Sequence, residues 1–215
     1  MERVIFLDRD GTLNEEVHYL HRREDLKLLD KAPLAIRMLR EKGYKIVVVT
    51  NQAGVARGYY SEADVKKLHC YMNEKLRQQG AEIDRFFYCP HHPEHGIGSY
   101  KIECRCRKPG TGMFEMAEQY FEVDKAHSWM IGDKLIDIEA GKNYGVRTIL
   151  VGTGYGREVH QEQLARLTAG WEEIQAGPIV RGGGKLPYDV YAETLADAAR
   201  AVLEGEDDSR RTGRG

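Results

Sequence analysis

Two carboxylates stand two residues apart where the first apolar run of the chain ends. Asp8 and Asp10 follow residues 4–7, whose aliphatic and aromatic side chains predict a buried strand. On extended backbone both carboxylates point the same way and Arg9 points opposite. A bound cation would remove the repulsion between them, and magnesium suits the pair because it takes oxygen ligands from carboxylates and substrate phosphate. The alternative is a polar strand exit without chemistry, since such pairs are common at turns.

Three of the four cysteines lie close together in the sequence. Histidines follow Cys89, and Cys104 and Cys106 come two residues apart shortly afterwards. In a reducing compartment such a cluster favours metal binding over a disulfide. Three cysteines with one histidine form a recognised structural zinc site that leaves no position open for water. The candidates for the histidine ligand are His91, His92 and His95. The alternative is incidental cysteines beside solvated histidines.

Length and composition limit the class of protein. The 215 residues suffice for one domain with a full core, and 41% apolar with 31% charged residues is typical of a soluble protein. A net charge of −2 provides no basic surface, so no nucleic-acid partner is expected. No run approaches the roughly 18 apolar residues of a membrane span, so no membrane association is expected. The chain passes from Met1 into the first strand without room for a signal peptide, and a cytoplasmic location is expected.

The elements that must position these residues alternate between strands and helices. Strands are predicted over residues 4–7, 45–50, 83–88, 128–131 and 147–151, and helices over 33–42, 61–80, 113–121 and 190–203, with one more ending near Gly145. This alternation predicts an α/β fold with a right-handed, doubly wound parallel sheet. Such sheets bind ligands at the carboxyl ends of their strands. Three predicted strands end there in polar residues, among them Thr50 and Asp133, so we expect the functional site at this edge.

The chain is predicted to form a single domain over residues 1–204, with the cysteine-rich loop 89–109 inside it. Residues 205–215 are charged and glycine-rich, and they are predicted to be a disordered tail. The glycines at positions 152, 154 and 156 lack the spacing of a dinucleotide-binding loop. No function is assigned to residues 157–189.

Four short motifs together resemble the haloacid dehalogenase superfamily of phosphohydrolases. They are Asp8-Arg9-Asp10-Gly11-Thr12, which matches DxDGT, then Thr50, then Lys108, and then Gly132-Asp133 through Asp137. All four occur in the order found in the superfamily. The resemblance implies a Rossmann-like fold, here without the cap domain. The cysteine-rich loop and the loop over residues 15–30 would then shape the pocket and favour small substrates.

The resemblance also implies a role for each motif. A phosphate monoester hydrolyses extremely slowly alone, so its site must neutralise charge and supply a nucleophile. Asp8 would attack phosphorus and form an aspartyl-phosphate, and Asp10 would act as general acid and then as general base. Thr50 and Lys108 would hold the transferring oxygens. Asp8, the backbone carbonyl of Asp10, and Asp133 would bind magnesium.

Two further stretches narrow the resemblance. Residues 89–92 and 104–109 read CPHH and CRCRKP, and residues 50–60 read TNQAGVARGYY. Over about residues 3–156 the chain is similar to the D-glycero-D-manno-heptose-1,7-bisphosphate 7-phosphatases and to their relative, the histidinol-phosphate phosphatase. The resemblance implies removal of the 7-phosphate in nucleotide-activated heptose synthesis, which feeds lipopolysaccharide core or surface glycans. The family pattern selects His91, with Cys89, Cys104 and Cys106, as the ligands of a structural zinc.

The family resemblance also predicts which residues contact the substrate. The set is Arg9, Glu16, Val17, His18, Tyr19, Asn51, Gln52, Ala53, Arg107 and Lys134. The guanidinium of Arg107 can offer a bidentate fork to a distal phosphate. Arg57 is a further candidate, and it could equally be a solvated loop charge.

The leading hypothesis is therefore a monomeric phosphatase of a small phosphorylated sugar. The nearest alternative is a histidinol-phosphate phosphatase or another small phosphomonoesterase. An alternative from a different class is a zinc-stabilised binding module without catalysis, which predicts no magnesium-dependent release of phosphate.

Overall fold

Seven strands form one sheet in the part of the chain that the computed structural model describes, residues 1–167 and 177–212, the last seven as backbone. The strands are β1 Val4–Leu7, β2 Lys45–Asn51, β3 Arg85–Cys89, β4 Trp129–Gly132, β5 Arg147–Val151, β6 Ile179–Arg181 and β7 Val190–Ala192. Their order across the sheet is β3-β2-β1-β4-β5-β7-β6. The predicted doubly wound α/β fold is confirmed.

The sheet is parallel except at one edge. In the central pairs, Phe6 of β1 lies beside Val47 of β2 on one side and Met130 of β4 on the other. Because the strand order turns in both directions from β1, a crevice forms at the carboxyl end of this strand. At the far edge β6 pairs antiparallel with β7, so the expectation of a wholly parallel sheet is corrected there. A short connection joins β6 to β7, and such a connection allows only an antiparallel pair.

Strand β7 occupies residues that the apolar spacing assigned to a helix. The helix predicted over residues 190–203 begins only at Leu195. Val190–Ala192 is buried and pairs in parallel with β5, and a short apolar run of this kind fits a buried strand as well as a helix. The hydroxyl of Thr194 accepts a hydrogen bond from the backbone N–H of Asp197, which caps the helix and fixes its start.

Helices cover both faces of the sheet. They are α1 Ala32–Glu41, α2 Ala53–Ala56, α3 Glu62–Arg77, α4 Gly112–Ala117, α5 Leu135–Tyr144, α6 Gly156–Leu167 and α7 Leu195–Thr212, with short 3-10 helices at Arg23–Asp25, Gly98–Tyr100 and Lys125–His127. Ser61 and Asp64 form a capping box at the start of α3. Helix α4 ends four residues earlier than predicted, at Ala117. Strand β3 begins at Arg85 rather than at residue 83, because the Asn73 side chain binds both backbone groups of Ile83.

Alternate residues of the central strand face opposite helix layers. Ile5 and Leu7 pack in the cluster that contains residues of α1 and α7, whereas Val4 and Phe6 pack with residues of α4 and α5. The ring of Phe6 lies 4.8 Å from that of Phe114. Strand β1 is thus buried on both faces, as central parallel strands are, and it holds the residues at its carboxyl end in place.

The predicted tail and the unassigned segment are described only in part. Helix α7 continues through Thr212 and overlaps the tail predicted from residue 205, whose disorder stays a prediction. Residues 213–215 of the tail and 168–176 of the unassigned segment lie outside the described residues. Among the helices described, none is both long and apolar enough to cross a membrane.

Candidate active site

A cavity of about 580 Å³ opens at the carboxyl edge of the sheet, where the predicted site residues converge. The end of β2 and the segments that follow β1, β2, β3, β4 and β5 supply its walls. The predicted residues that line it are Asp8, Asp10, Glu16, His18, Tyr19, Thr50, Asn51, Gln52, Ala53, Arg107, Lys108 and Lys134. Of the predicted substrate contacts, the side chains of Arg9 and Val17 do not line this cavity.

Lys108 lies between two buried carboxylates. Its ammonium contacts Asp8 Oδ1 at 2.8 Å and Asp137 Oδ1 at 2.6 Å, and it donates to the carbonyl of Val49 at 2.8 Å. Burial lowers the pKa of a lysine, but the two carboxylates outweigh this effect and raise the pKa of Lys108. Burial also opposes ionisation of Asp8, yet the charge of Lys108 holds the pKa of Asp8 below its usual range. Asp8 is therefore an ionised carboxylate with the charge that a nucleophile needs.

Asp133 completes a cluster of three acids. Asp8, Asp133 and Asp137 each offer a carboxylate oxygen, and these oxygens lie within 4.8 Å of one another. Asp133 is fully buried, and its Oδ1 has no hydrogen-bond partner among the described residues. Burial and then the charge of Asp8 raise the pKa of Asp133 to about 8. A buried oxygen without a partner is costly unless a cation binds it, so the donor set fits a hard divalent cation such as Mg²⁺.

Two glycines allow other chain segments to approach Asp133. Gly11 and Gly154 have φ of +79° and +54°, and a Cβ at either would lie 2.3 or 2.2 Å from Asp133 Oδ2. The backbone N–H of Tyr155 donates to the same oxygen at 3.0 Å. The hydroxyl of Thr153 donates to the carbonyl of Gly11 at 2.7 Å. The glycine-rich loop after β5 thus closes over the acid cluster, a role that the sequence did not indicate.

The Asp10 carboxylate is held by three neighbouring side chains rather than by the acid cluster. Arg9 donates to it twice, from Nε to Oδ1 at 3.0 Å and from Nη2 to Oδ2 at 2.7 Å. The amide of Asn14 donates to Oδ1 at 3.0 Å, and the amide of Gln52 donates to Oδ2 at 3.2 Å. The third carboxylate of the acid cluster is therefore that of Asp137 and not that of Asp10. If Asp10 binds magnesium, it does so through its backbone carbonyl.

Arg9 is fully buried beneath the site, so its side chain does not reach the substrate as the resemblance implied. Besides Asp10, its guanidinium contacts the carbonyl of Leu20 at 3.2 Å and Nε2 of His69 at 3.4 Å. The physical reason is the alternation along extended backbone, which turns the Arg9 side chain away from that of Asp8 and into the core, where its guanidinium still reaches the Asp10 carboxylate. Burial and then the charge of Arg9 lower the pKa of His69 well below its usual value, so this histidine is neutral.

Asn51 connects the end of β2 to the end of the cysteine-rich loop. Its Nδ2 donates to the carbonyl of Lys108 at 3.2 Å, and its Oδ1 accepts from the Lys108 N–H at 3.0 Å. Although it lines the cavity, the Asn51 amide is engaged in placing the lysine backbone.

The loop after Asp10 forms the opposite wall. Glu16 Oε2 lies 3.1 Å from the ammonium of Lys134, which joins this loop to the start of α5. His18 and Tyr19 both have left-handed backbone, with φ of 46° and 57°. These two residues turn the chain so that their own side chains line the cavity, while Val17 lines a neighbouring surface concavity.

The cysteine-rich loop brings together the four ligands that the family pattern selected. Cys89, His91, Cys104 and Cys106 offer atoms within 4.8 Å of one another. Nδ1 of His91 lies 3.7 Å from the sulfurs of both Cys89 and Cys106, and the sulfurs of Cys104 and Cys106 are 2.8 Å apart. Zn–S and Zn–N bonds of about 2.0–2.3 Å in a tetrahedron put ligand atoms about 3.5–4 Å apart, so the two longer separations fit zinc.

The rival histidines belong to a different arrangement. Nδ1 of His92 accepts from the backbone N–H groups of Glu94 and His95, which turns this ring nitrogen toward its own loop. The Cys106 thiol donates to Cys89 and lowers the pKa of Cys89 to about 6. A thiolate is the form that binds metal, and Cys89 is the cysteine of the cluster whose pKa is lowered, while its hydrogen bond with Cys106 raises the pKa of Cys106.

Arg107 stands at the cavity wall directly after this cluster. Its Nη1 donates to the carbonyl of His91 at 3.2 Å. Burial, together with repulsion from Arg57, lowers the pKa of Arg107, and the charge on Cys89 only partly opposes this shift. The Nε of Arg57 is itself buried without a hydrogen-bond partner among the described residues. Two neighbouring guanidinium groups of this kind attract an anion.

Five cavity residues were missed as site residues by the sequence analysis: Tyr60, Ile136, Asp137, Tyr155 and Val159. The sequence could have indicated Asp137 as a site residue, because it ends the fourth motif. It gave a weaker indication for Tyr155, which follows β5 at the same edge of the sheet. Nothing in the sequence indicated Tyr60 beyond its closeness to residues 50–53.

Comparison with known proteins gives consistent matches. A family model described as HAD-hydrolase-like matches residues 105–172. A D-glycero-beta-D-manno-heptose-1,7-bisphosphate 7-phosphatase of Haemophilus ducreyi is 43% identical over 168 residues, which cover 77% of this chain and 92% of that protein. A D-glycero-alpha-D-manno-heptose-1,7-bisphosphate 7-phosphatase of Photorhabdus laumondii is 42% identical over 154 residues, 71% of this chain and 84% of that protein.

A solved structure agrees with these relatives. The D,D-heptose 1,7-bisphosphate phosphatase from B. bronchiseptica, crystallised in complex with magnesium and phosphate, superposes with a TM-score of 0.73 and 32% sequence identity. The match covers 94% of this chain and 99% of that one.

Proposed function

The chain belongs to the D-glycero-D-manno-heptose-1,7-bisphosphate 7-phosphatase family of haloacid-dehalogenase-like hydrolases, and on that basis we propose that it removes the 7-phosphate of this sugar bisphosphate. The reaction hydrolyses a phosphoric monoester and leaves the 1-phosphate on the sugar. Such a product serves nucleotide-activated heptose synthesis for lipopolysaccharide core.

One observation carries this proposal. The ionised Asp8 carboxylate lies 2.8 Å from the Lys108 ammonium and has an oxygen within 4.8 Å of one of Asp133, whose Oδ1 has no hydrogen-bond partner among the described residues; both aspartates lie beside a cavity of small-molecule size. Buried charges of this kind lower the stability of a protein unless they are paired, and their concentration in one cleft is typical of a catalytic site.

In the first half of the proposed reaction, a carboxylate oxygen of Asp8 attacks phosphorus. The bond between phosphorus and the sugar oxygen breaks, and Asp10, entering this step protonated, donates its proton to the departing oxygen. The products are an aspartyl-phosphate on Asp8 and the free sugar alcohol. The Thr50 hydroxyl and the Lys108 ammonium, both at the cavity wall, stabilise the charge on the phosphoryl oxygens.

In the second half, water attacks the phosphorus of the aspartyl-phosphate. Asp10, now a carboxylate, accepts the proton of the water, and Asp8 departs as a carboxylate. Inorganic phosphate leaves, Asp8 is again a carboxylate, and Asp10 again carries the proton that it donates in the next turnover.

Magnesium would be held by Asp8, the backbone carbonyl of Asp10, and Asp133. When bound, it neutralises part of the charge that the carboxylates and the phosphate bring together. The unpartnered Asp133 oxygen supports this assignment, as does the magnesium and phosphate complex of the B. bronchiseptica relative.

A structural zinc would be held by Cys89, His91, Cys104 and Cys106. The cluster supports it through donor type and spacing. Because Arg107 and Lys108 follow Cys106 directly, the ion would fix both basic residues against the cavity.

The 1-phosphate of the substrate would bind to Arg107, with Arg57 as its neighbour. Arg107 lines the cavity on the side formed by the cysteine-rich loop, Arg57 is close enough to repel its charge, and neither has a carboxylate partner among the described residues. A bidentate guanidinium contact suits a terminal phosphate.

Parallel assays of phosphate release with magnesium test the proposed function. The substrates are both anomers of the heptose bisphosphate and histidinol phosphate, because the relatives named above carry opposite anomers in their names. The expected result is a higher kcat/KM for a heptose anomer. A preference for histidinol phosphate would support the alternative phosphatase, and no release from any substrate would support the non-catalytic binding module.

A cytoplasmic, monomeric enzyme belongs to the same proposal. None of its four cysteines, all of which the structure describes, forms a disulfide, as is usual in a reducing compartment. Light scattering of the purified protein measures the oligomeric state, and a dimer would contradict this part of the proposal.

A further inference from the structure

The amide of Gln52 connects two groups of the proposed chemistry. Its Nε2 donates to Asp10 Oδ2 at 3.2 Å and to the Thr50 hydroxyl at 3.0 Å. Both amide hydrogens are therefore engaged, and only 2% of the residue is exposed. The family resemblance implied that Gln52 contacts the substrate, but this side chain has no donor left to offer.

The hydroxyl of Tyr60 determines which end of the amide faces Asp10. It donates to Gln52 Oε1 at 2.9 Å and accepts from the backbone N–H of Gly54. Because a backbone N–H can only donate, the single hydroxyl proton is directed at the amide oxygen. Burial raises the pKa of Tyr60 to about 12, so this proton is retained at neutral pH. In this orientation of the amide, each donor in the hydrogen-bonded series Tyr60–Gln52–Asp10 faces an acceptor.

Packing fixes the Tyr60 ring. It is stacked on the ring of His21 at 5.0 Å between centroids, and it belongs to a small buried cluster with Val55 and Val65. A Cβ on Gly54 would lie 2.2 Å from the ring, so the glycine allows its close approach. The hydroxyl is thus held by a rigid side chain that has little freedom to move.

We propose that Tyr60 is a positioning residue for the general acid–base, acting through Gln52. It keeps the amide nitrogen directed at both Asp10 and Thr50. Without the hydroxyl the amide can turn over, and Asp10 then loses the hydrogen bond that Gln52 Nε2 donates to its Oδ2. Asp10 would be displaced from the leaving oxygen, and this consequence rests on the proposed phosphatase function.

The test compares Tyr60→Phe with the wild type on two kinds of leaving group. For the sugar phosphate, kcat/KM should fall about five- to tenfold, the loss expected from one hydrogen bond, with KM unchanged. For 4-nitrophenyl phosphate the fall should be less than about twofold, because this leaving group departs without a proton from Asp10. An equal fall for both substrates would overturn the proposal.

Tyr59→Phe is the matched control. The Tyr59 ring packs edge-on against Tyr19, and its hydroxyl makes no hydrogen bond in the described part of the chain. This variant should match the wild type on both substrates. Wild-type protein that released no phosphate would refute the proposed function, whereas active wild type with unchanged Tyr60→Phe would refute only the role of Tyr60.

A double-mutant cycle tests the route through Gln52. Gln52→Met removes both ends of the amide, so adding Tyr60→Phe to it should cause no further loss. Losses that multiply would mean that Tyr60 acts independently of Gln52 and would overturn the proposal. Should Tyr60→Phe fail to fold, Gln52→Glu still tests the inference, because it directs an oxygen at Asp10 and should lower activity on the sugar phosphate more than on the aryl phosphate.

Discussion

Asp8, Lys108 and Asp137 come from three separate segments of the chain, and they are buried against one another. Burial of any one charge alone would cost several kcal/mol, so the protein tolerates these residues only as a paired group. The same pairing keeps Asp8 ionised and ready to act as a nucleophile. At the scale of single residues, stability and catalysis therefore depend on the same contacts, and suitable mutations can separate them.

Lys108→Met should lower both stability and activity. Removing the ammonium leaves two buried carboxylates without a partner, and we expect the free energy of unfolding to fall by about 3 kcal/mol. Adding Asp137→Asn removes one of these charges and should recover part of the stability, but activity should stay at least about 100-fold below the wild type. Urea unfolding and phosphate release measure the two effects. Recovery of activity together with stability would show that Lys108 has no catalytic role.

At the scale of elements, strands fix the acids and loops complete the site. Strand β1 is buried on both faces and ends at Asp8, whereas Lys108 and the glycines near Asp133 lie on loops. The cysteine-rich loop contributes basic residues to the cavity, and the loop after β5 closes over Asp133. The two loops differ in what holds them: the cysteine-rich loop contains the proposed zinc ligands, and the loop after β5 packs its backbone closely against Asp133.

Loss of the proposed zinc should disturb the site as well as the loop. Cys106→Ser should abolish stoichiometric zinc binding, lower Tm, and reduce kcat/KM about tenfold or more, because Arg107 and Lys108 follow directly. Metal analysis, thermal unfolding and phosphate release measure these effects. The control is Cys70→Ser, which changes an exposed cysteine on α3 and should behave like the wild type. Full activity in a zinc-free Cys106→Ser protein would contradict the proposed role of the ion.

The glycine loop offers a second test at this scale. Gly154→Ala places a Cβ 2.2 Å from Asp133 Oδ2, so we expect magnesium affinity to fall about tenfold or more and activity to fall with it. Gly183→Ala is the matched control, because its φ of +56° is nearly the same as the +54° of Gly154, and nothing lies within 4 Å of the added carbon. It should cost only the strain of left-handed backbone, about 1–2 kcal/mol. Equal magnesium affinities in the two variants would show that the contact with Asp133 is unimportant.

The sequence predicted elements that local pattern controls and missed those that depend on distant partners. The strand before Asp8 and the start of the helix at Ser61 were both correctly placed. Strand β7 was taken for a helix, because three apolar residues fit either structure and only pairing with β5 decides between them. Arg9 was assigned to the substrate although strand alternation already turned it away. Tyr60 acts through contacts that no spacing rule indicates.

At the scale of the whole molecule, the core beneath the site contains a buried neutral histidine. His69 on α3 stacks on Phe86 at 4.6 Å, and its Nε2 lies 3.4 Å from the guanidinium of Arg9. Burial and then the charge of Arg9 hold the pKa of His69 well below 6.5. Below about pH 6.5 the unfolded chain therefore binds a proton that the folded protein does not bind. The contribution of His69 to stability is complete above this pH and is lost as the pH falls.

His69→Gln should reduce the acid sensitivity of the fold. Between about pH 6.5 and 5.5 the wild type should lose up to about 1.4 kcal/mol of unfolding free energy per pH unit from this group, and the variant should not. Urea unfolding at both pH values measures the difference. The exposed His127→Gln should lose as much as the wild type. An equal loss in His69→Gln would show that His69 does not control this pH dependence.

In the proposed reaction, Asp8 attacks the 7-phosphate of the heptose 1,7-bisphosphate. Phosphorus nuclear magnetic resonance of the reaction with magnesium, for wild type and Asp8→Asn, tests it most directly. We predict that the signal of the phosphate on C7 disappears in the wild type while the signal on C1 remains, and that Asp8→Asn changes neither. Loss of the C1 phosphate, or equal rates in the two proteins, would contradict the account.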